Sequence, residues 1–169
     1  MRCLGIDVST RSVVVASLDF DSDAATVKVY DASECEGDAL VRARTLADLL
    51  PRRRSSFYDD VGLVAIERPM GPGTRQVGDM MLVAGVVVAC LPPELPVWLL
   101  GPTEWRKACG LKGNCSKDDV REFAWGASGG RFTGLTVWDG PPQDSIDAFA
   151  IAWAARALNE KGVAKGEAA

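Results

Sequence analysis

Histidine is missing altogether from the 169 residues. That absence excludes serine triads, imidazole acid–base catalysis and every histidine-ligated metal. Cysteine is sparse and poorly spaced. The five thiols, at 3, 35, 90, 109 and 115, are odd in number and form no CxxC pair, so neither a disulfide framework nor a zinc ribbon can be drawn from them. Cys3 and Cys90 sit in apolar runs and read as small core residues, and this usage suits a reducing cytosol. Long hydrophobic runs are lacking too. The longest, Met80 to Leu91, stops at Pro92-Pro93 and is too short to span a bilayer. No secretory signal is expected, because Arg2 leads directly into strand-like sequence. No Walker-type GxxxxGK[ST] loop and no internal repeat occur.

What is present is average for a folded domain: 47% hydrophobic and 25% charged residues. A chain of this length buries roughly 70% of its extended surface. One domain is expected over residues 1–158, followed by a flexible tail at 159–169. The net charge of −4 argues against a protein that merely coats nucleic acid. Basic side chains nevertheless cluster twice, at Arg42, Arg44 and Arg52-Arg53-Arg54, and at Arg106, Lys107, Lys112, Lys117 and Arg121. Either strip suits local contact with DNA, but either alone reads more readily as a solvated helix face.

Alternation predicts a strand over Cys3 to Val8, with Leu4, Ile6 and Val8 on one face and Gly5 and Asp7 on the other. Ser12 to Phe20 and about Thr26 to Ala32 follow after tight turns at Ser9-Thr10-Arg11 and Asp21-Ser22-Asp23. From Gly37 the period becomes helical (Leu40, Ala43, Ala47, Leu50) until Pro51. Gly62 to Glu67 reads as a buried parallel strand. Beyond Gly71-Pro72-Gly73, Thr74 can cap a helix to Leu91, whose Gly78 and Gly85 permit close approach of another helix. A strand over Pro96 to Leu100 precedes two helices, one capped by Thr103 and one, Lys117 to Trp125, by Ser116. Gly126 to Gly140 reads as loop, and Pro141-Pro142 opens a last helix to about Asn159. Three strands in a meander followed by strand–helix alternation imply an α/β fold with a mixed sheet flanked by helices.

Carboxylates are the only abundant reactive groups left. Asp7 interrupts an apolar strand, where Asp is depleted. Glu67 ends a wholly apolar one. Asp144 and Asp147 lie three apart at the start of the last helix, bordering its stripe of Ile146, Phe149, Ala150, Trp153 and Ala157. Each has a plainer reading. Asp144 could complement a helix dipole, Asp147 could pair with an Arg, and Glu67 could bridge to Arg68 or Arg75. A carboxylate beside a core is costly alone, so positive charge is expected nearby. Four acids at sheet ends, with no Lys beside any of them, favour a divalent cation such as Mg²⁺ or Mn²⁺, which takes carboxylate and water oxygens.

Gly-Ile-Asp-Val-Ser-Thr at 5–10, Ala-Ile-Glu-Arg-Pro at 65–69 and Asp-Ser-Ile-Asp-Ala-Phe-Ala-Ile-Ala at 144–152 resemble the RuvC family of Holliday-junction resolvases, within the RNase H-like (retroviral integrase) superfamily. The likeness covers residues 2–155 in order and spacing. It implies an RNase H-like fold with a five-stranded mixed sheet whose first three strands are antiparallel. It also implies a two-metal nuclease site on Asp7, Glu67, Asp144 and Asp147, and a homodimer that nicks a four-way junction symmetrically. The family commonly presents an aromatic in the loop after the Glu; here the nearest residue is Met70, between Arg68 and Arg75.

The expected activity is therefore a metal-dependent, structure-selective endonuclease of branched DNA, on four-way junctions and also flaps, with two Mg²⁺ (or Mn²⁺) ions per site. The expected DNA contacts are Arg68, Met70, Arg75, Lys107, Lys112, Lys117 and Arg121, with Lys117 nearest the site. The helix Thr74 to Leu91, apolar on nearly every side, is the expected dimer surface. A cytoplasmic setting, bacterial or viral-host, is expected, and the many Ala, Gly, Val and Arg with few Lys, Ile and Asn suggest a bacteriophage or GC-rich bacterial genome. A flap or RNA–DNA hybrid nuclease, a catalytically dead DNA-binding module, and a sugar-kinase or actin-like ATPase sharing the first motif are the alternatives. The last needs a second domain that 169 residues do not provide.

Overall fold

The computed structural model describes residues 1–21, 25–71, 73–129, 132–133 and 142–162. Strands β1 (Arg2–Val8), β2 (Ser12–Asp19), β3 (Ala25–Asp31), β4 (Val61–Glu67), β5 (Val97–Leu100) and β6 (Phe132–Thr133) form one sheet in the order β5-β4-β1-β2-β3-β6. β1, β2 and β3 pair antiparallel, while β4 runs parallel to both β1 and β5. The five expected strands are all present. β6 adds two residues at the β3 edge, from the stretch read as loop.

Alternation along the strands divides the interior into two cores. Cys3, Val14, Ala16, Leu63 and Ala65 point to one face, beneath α3 (Pro102–Ala108), α4 (Lys117–Ala127) and α5 (Gln143–Glu160). Leu4, Ile6, Val13, Val64 and Ile66 point to the other, beneath α1 (Ala39–Leu49) and α2 (Thr74–Cys90). α5 exceeds its expected stripe, with Ser145, Ile146, Ala148 to Ala152, Ala154 and Ala155 all buried. Its alanines let it rest on Gly5, where a Cβ would meet the Ala148 carbonyl oxygen at 2.2 Å and the Ala152 nitrogen at 2.3 Å.

Local differences have local causes. Thr74 and Thr103 lie inside their helices, and Gly73 and Gly101 cap them instead. At α3 the Glu104 carboxylate turns back to accept from the Gly101 N–H at 2.7 Å, a role no Thr is needed for. Ser116 does cap α4, in a reciprocal box with Asp119. In α1 the Asp38 cap sets the helix phase so that Ala43, Leu46 and then Leu50 turn inward, leaving Leu40 58% exposed. Two arginines of the first basic strip serve backbone carbonyls: Arg42 donates to Thr10 and Gly37, and Arg53 to Ala89 at the end of α2. The turn at 21–23, the breaks at Pro72 and Pro141, the loop at 126–140 and the tail at 159–169 fall wholly or partly outside the described residues. Among the described residues no helix is long and apolar enough to cross a membrane.

Candidate active site

Register and pleat bring the first two acids together. β1 and β4 are neighbouring parallel strands with Ile6 beside Ile66, so Asp7 and Glu67 occupy adjacent positions at their C-terminal ends. Both follow the side-chain alternation to the α5 face, as the neighbours Gly5 and Ala65 do. Contact of α5 with Gly5 then lays the first turn of the helix over the same strand ends, delivering Asp144 and Asp147. Open sheets bind ligands at the carboxyl ends of their strands for this reason: loops and helix starts converge there.

The four acids feel one another. Burial pushes the Asp7 carboxyl up to about 8, and Glu67, Asp144 and Asp147 push it in the same direction. Burial and the nearby Asp147 raise Glu67 to about 7, against the pull of the Trp105 indole and Arg106. Among the described residues the buried indole Nε1 has no partner within ordinary hydrogen-bond limits. Asp147 is also raised by burial, with Gln143, Lys117 and Arg106 opposing. Asp7, Glu67 and Asp147 are half-buried, whereas Asp144 stands exposed, further from the core edge than its helical position suggests.

The expected positive charge is present, from partly unexpected residues. Lys117 acts on Asp147. Arg106, rather than Lys107, is the α3 cation that acts on both Glu67 and Asp147. It is half-buried, stacks at 5.0 Å on Trp105 and, among the described residues, has no partner at its Nε. The helical step explains the choice: Trp105 is the buried anchor of α3, and Arg106 borders it while Lys107 turns to solvent. Lys112 acts on Asp119. Arg68, Met70 and Arg75 are exposed around the start of α2, Met70 at 62%. Arg121 is already engaged, donating to Asp118 at 2.7 Å and to the Gln143 side chain at 3.2 Å. Gln143 donates in turn to Asp147 at 2.9 Å. Nothing in hydrophobic patterning marks Gln143; its position one residue before Asp144 was the only signal available.

Among the described residues no three acidic or thiol side chains are gathered into a ready metal-binding group. The donor set itself, four carboxylates without histidine or thiolate, fits a hard divalent cation that prefers oxygen. Arg106 and Lys117 bring positive charge to the same strand ends.

No protein-family model matches the chain, and no curated protein sequence does. Solved structures do. Thermus thermophilus RuvC in complex with a Holliday junction substrate superposes with a TM-score of 0.73 at 19% identity, covering 96% of this chain and 97% of that one. A second Thermus thermophilus RuvC structure gives 0.68 at 18% identity over the same shares. The chain thus has the RuvC form of the RNase H-like fold, over nearly the whole length of both molecules.

Proposed function

We propose that this chain is a divalent-metal-dependent endonuclease selective for branched DNA, resolving four-way junctions by paired nicks from a homodimer. The reading is supported by two acids on adjacent parallel strand ends that feel two more from the start of α5, on a fold like that of RuvC. The Thermus RuvC superposed here was solved with a Holliday junction substrate, and the same substrate class is assigned to this chain.

Asp7, Glu67, Asp144 and Asp147 would hold Mg²⁺ or Mn²⁺, which when bound polarises the scissile phosphate and makes a water nucleophilic near neutral pH. The chain's own residues do the rest. Asp7 and Glu67, with carboxyls near 8 and 7, give up protons before they can serve as ligands. Arg106 and Lys117 bring positive charge to the acids, where the negative phosphate must come. Lys107 and Lys112, exposed, are placed for phosphates further out, with Arg68 and Arg75 on the α2 side. Arg121, exposed and holding Asp118 and Gln143 through one N–H on each terminal nitrogen, keeps further donors for a phosphate contact. Met70 offers a flexible thioether where an aromatic would stack, which favours tolerance of flaps and RNA–DNA hybrids beside four-way junctions.

The dimer reading rests on α2. Val83, Ala84 and Val87 are buried against the sheet and α1. Gly78, Met81, Leu82, Gly85, Val88 and Ala89, at heptad spacing, form a second apolar stripe that is exposed throughout. Equivalent stripes on two copies can meet across a two-fold axis.

A cleavage panel of four-way, three-way, flap, duplex and RNA–DNA substrates, with Mg²⁺ and with Mn²⁺, tests the proposal. Branched DNA should be cut in preference to duplex. Asp147→Asn and Glu67→Gln should each lower cutting on the order of a thousandfold while junction binding persists, as expected of ligands worth several kcal/mol in the transition state. Duplex cut as fast as junction, or undiminished turnover in both variants, would sink it.

A further inference from the structure

Asp118 Oδ1 accepts from Arg121 Nη1 at 2.7 Å, Arg121 Nη2 donates to Gln143 Oε1 at 3.2 Å, and Gln143 Nε2 donates to Asp147 Oδ1 at 2.9 Å. The chain of bonds crosses from α4 to α5 and ends on an acid of the site. We propose that Gln143 and Arg121 form a positioning arm for Asp147, with Gln143 aiming the carboxylate and Arg121 fixing Gln143.

Donor and acceptor inventory makes the arm directional. A guanidinium only donates and an ionised carboxylate only accepts, so the amide between them has a single orientation: oxygen toward Arg121, nitrogen toward Asp147. Without Arg121 the Gln143 amide could rotate by half a turn and present its oxygen to Asp147, which would repel it. Arg121 therefore selects the useful orientation without touching the carboxylate. Gln143 leaves Asp147 Oδ2 unengaged by this arm, so one oxygen is braced while the other stays available to a cation or water. Partners that hold ligands in this way are worth tenfold to a hundredfold in metal affinity or activity. Asp118, largely exposed, closes the far end of the arm through an ion pair of the kind that contributes little alone.

The arm also ties the two helices that frame the site. α4 carries Lys117, which acts on Asp147 directly, and Arg121 one turn later, which acts through Gln143. A shift of α4 would thus be felt at Asp147 by two routes.

This inference depends on the nuclease reading only for what Asp147 does, and metal binding separates the two. Mn²⁺ affinity, read by the paramagnetic resonance of free Mn²⁺, and junction cleavage should be measured in parallel on the full chain. Gln143→Ala should weaken Mn²⁺ binding about tenfold or more, with far-ultraviolet dichroism unchanged. Gln143→Asn, one methylene too short to span both partners, should do nearly the same. Arg121→Ala should weaken it by less, Arg121→Lys by less again, and the double alanine variant should be no weaker than Gln143→Ala, since both act in series. Gln143→Ala within twofold of the parent, losses that add in the double variant, or a parent chain without Mn²⁺ affinity would each overturn the arm. A parent that binds Mn²⁺ and shows the predicted losses, yet cuts no branched DNA, would overturn the nuclease reading and uphold the arm. Lost cleavage in Gln143→Ala at unchanged Mn²⁺ affinity would do the reverse.

Discussion

The two faces of the sheet are finished differently. On the α5 face, a helix buried on nearly every side lies against a glycine, and the core extends toward the strand ends that carry Asp7 and Glu67. On the α1–α2 face the core is equally well buried beneath the helices, but α2 turns a second apolar stripe outward, with Met81 at 49% and Val88 at 44% exposure. One face is closed by the chain itself, whereas the other leaves apolar area of the kind that a second molecule can cover. Glycine marks both faces with opposite meaning. Gly5 is filled by its neighbour, whereas Gly78 and Gly85 have nothing within 4 Å of a would-be Cβ.

The strongest way to break this comparison is Gly5→Ala. The added methyl would lie 2.2 Å from a backbone oxygen and 2.3 Å from a backbone nitrogen, neither of which can move without the whole of α5. Overpacking in cores costs about 1–3 kcal/mol even where flexible side chains can yield, and backbone cannot yield as they do. The expected result is a loss of at least about 3 kcal/mol in urea unfolding, or a lifted α5 that abolishes cleavage in whatever remains folded. A variant within 1 kcal/mol of the parent, on the order of ordinary surface changes, would show that α5 does not depend on Gly5.

A second test sharpens the contrast through pH. The closed face carries the strained charges: Asp7 near 8 and Glu67 near 7, both raised first by burial and then by neighbouring acids. A carboxyl whose folded value is raised binds its proton more tightly folded than unfolded. Its stabilising contribution is full below the unfolded value, about 4, and is lost as pH rises toward 7 and 8. In chelator, stability should therefore fall between pH 5 and pH 8, by roughly 1 kcal/mol per pH unit for each group titrating. Mg²⁺ should restore more at pH 8 than at pH 5. Melting temperatures across that range, with and without Mg²⁺, decide the matter. A flat profile in chelator would mean that the acids are not coupled as described.

Much of the closed face was legible in advance. Asp7 stood out because an ionisable group inside β1 contradicts its surroundings, and Glu67 because it ends an apolar strand. What the pattern could not reveal was the packing that aims them. Gly5 alternates with Leu4 and Ile6 like any strand residue, and only the position of α5 shows why no side chain fits there. Arg106 was visible as one cation among five, but the anchor at Trp105 decides which of them turns inward. Gln143 carried no charge and no periodicity to mark it. On the other face, an all-apolar helix at Thr74 to Leu91 was readable, while its division into a covered and a bare stripe required α1 in place. That division matters for testing the dimer. Val87, by sequence an equal candidate for a charged substitution, is 2% exposed and would disrupt the monomer, whereas Met81→Glu strikes the bare stripe alone.

The smallest expected effect is also the most discriminating, because its sign differs between monomer and assembly. Gly85 sits inside α2, where glycine is less favourable than alanine by roughly 0.8–1.0 kcal/mol, and nothing in the chain occupies the space a methyl would take. Gly85→Ala should therefore raise the stability of the isolated chain by up to about 1 kcal/mol, read as a higher urea midpoint at submicromolar concentration. If a second copy packs its own α2 across Gly78 and Gly85, the same methyl holds the helices apart and weakens the dimer. Sedimentation over a range of concentrations would then show a larger dissociation constant for the more stable chain. A gain in stability with unchanged association places the partner elsewhere on the stripe, at Met81, Leu82 and Val88. A loss of stability would mean that α2 already has a neighbour at Gly85 within the chain, and the contrast between the two faces would fail.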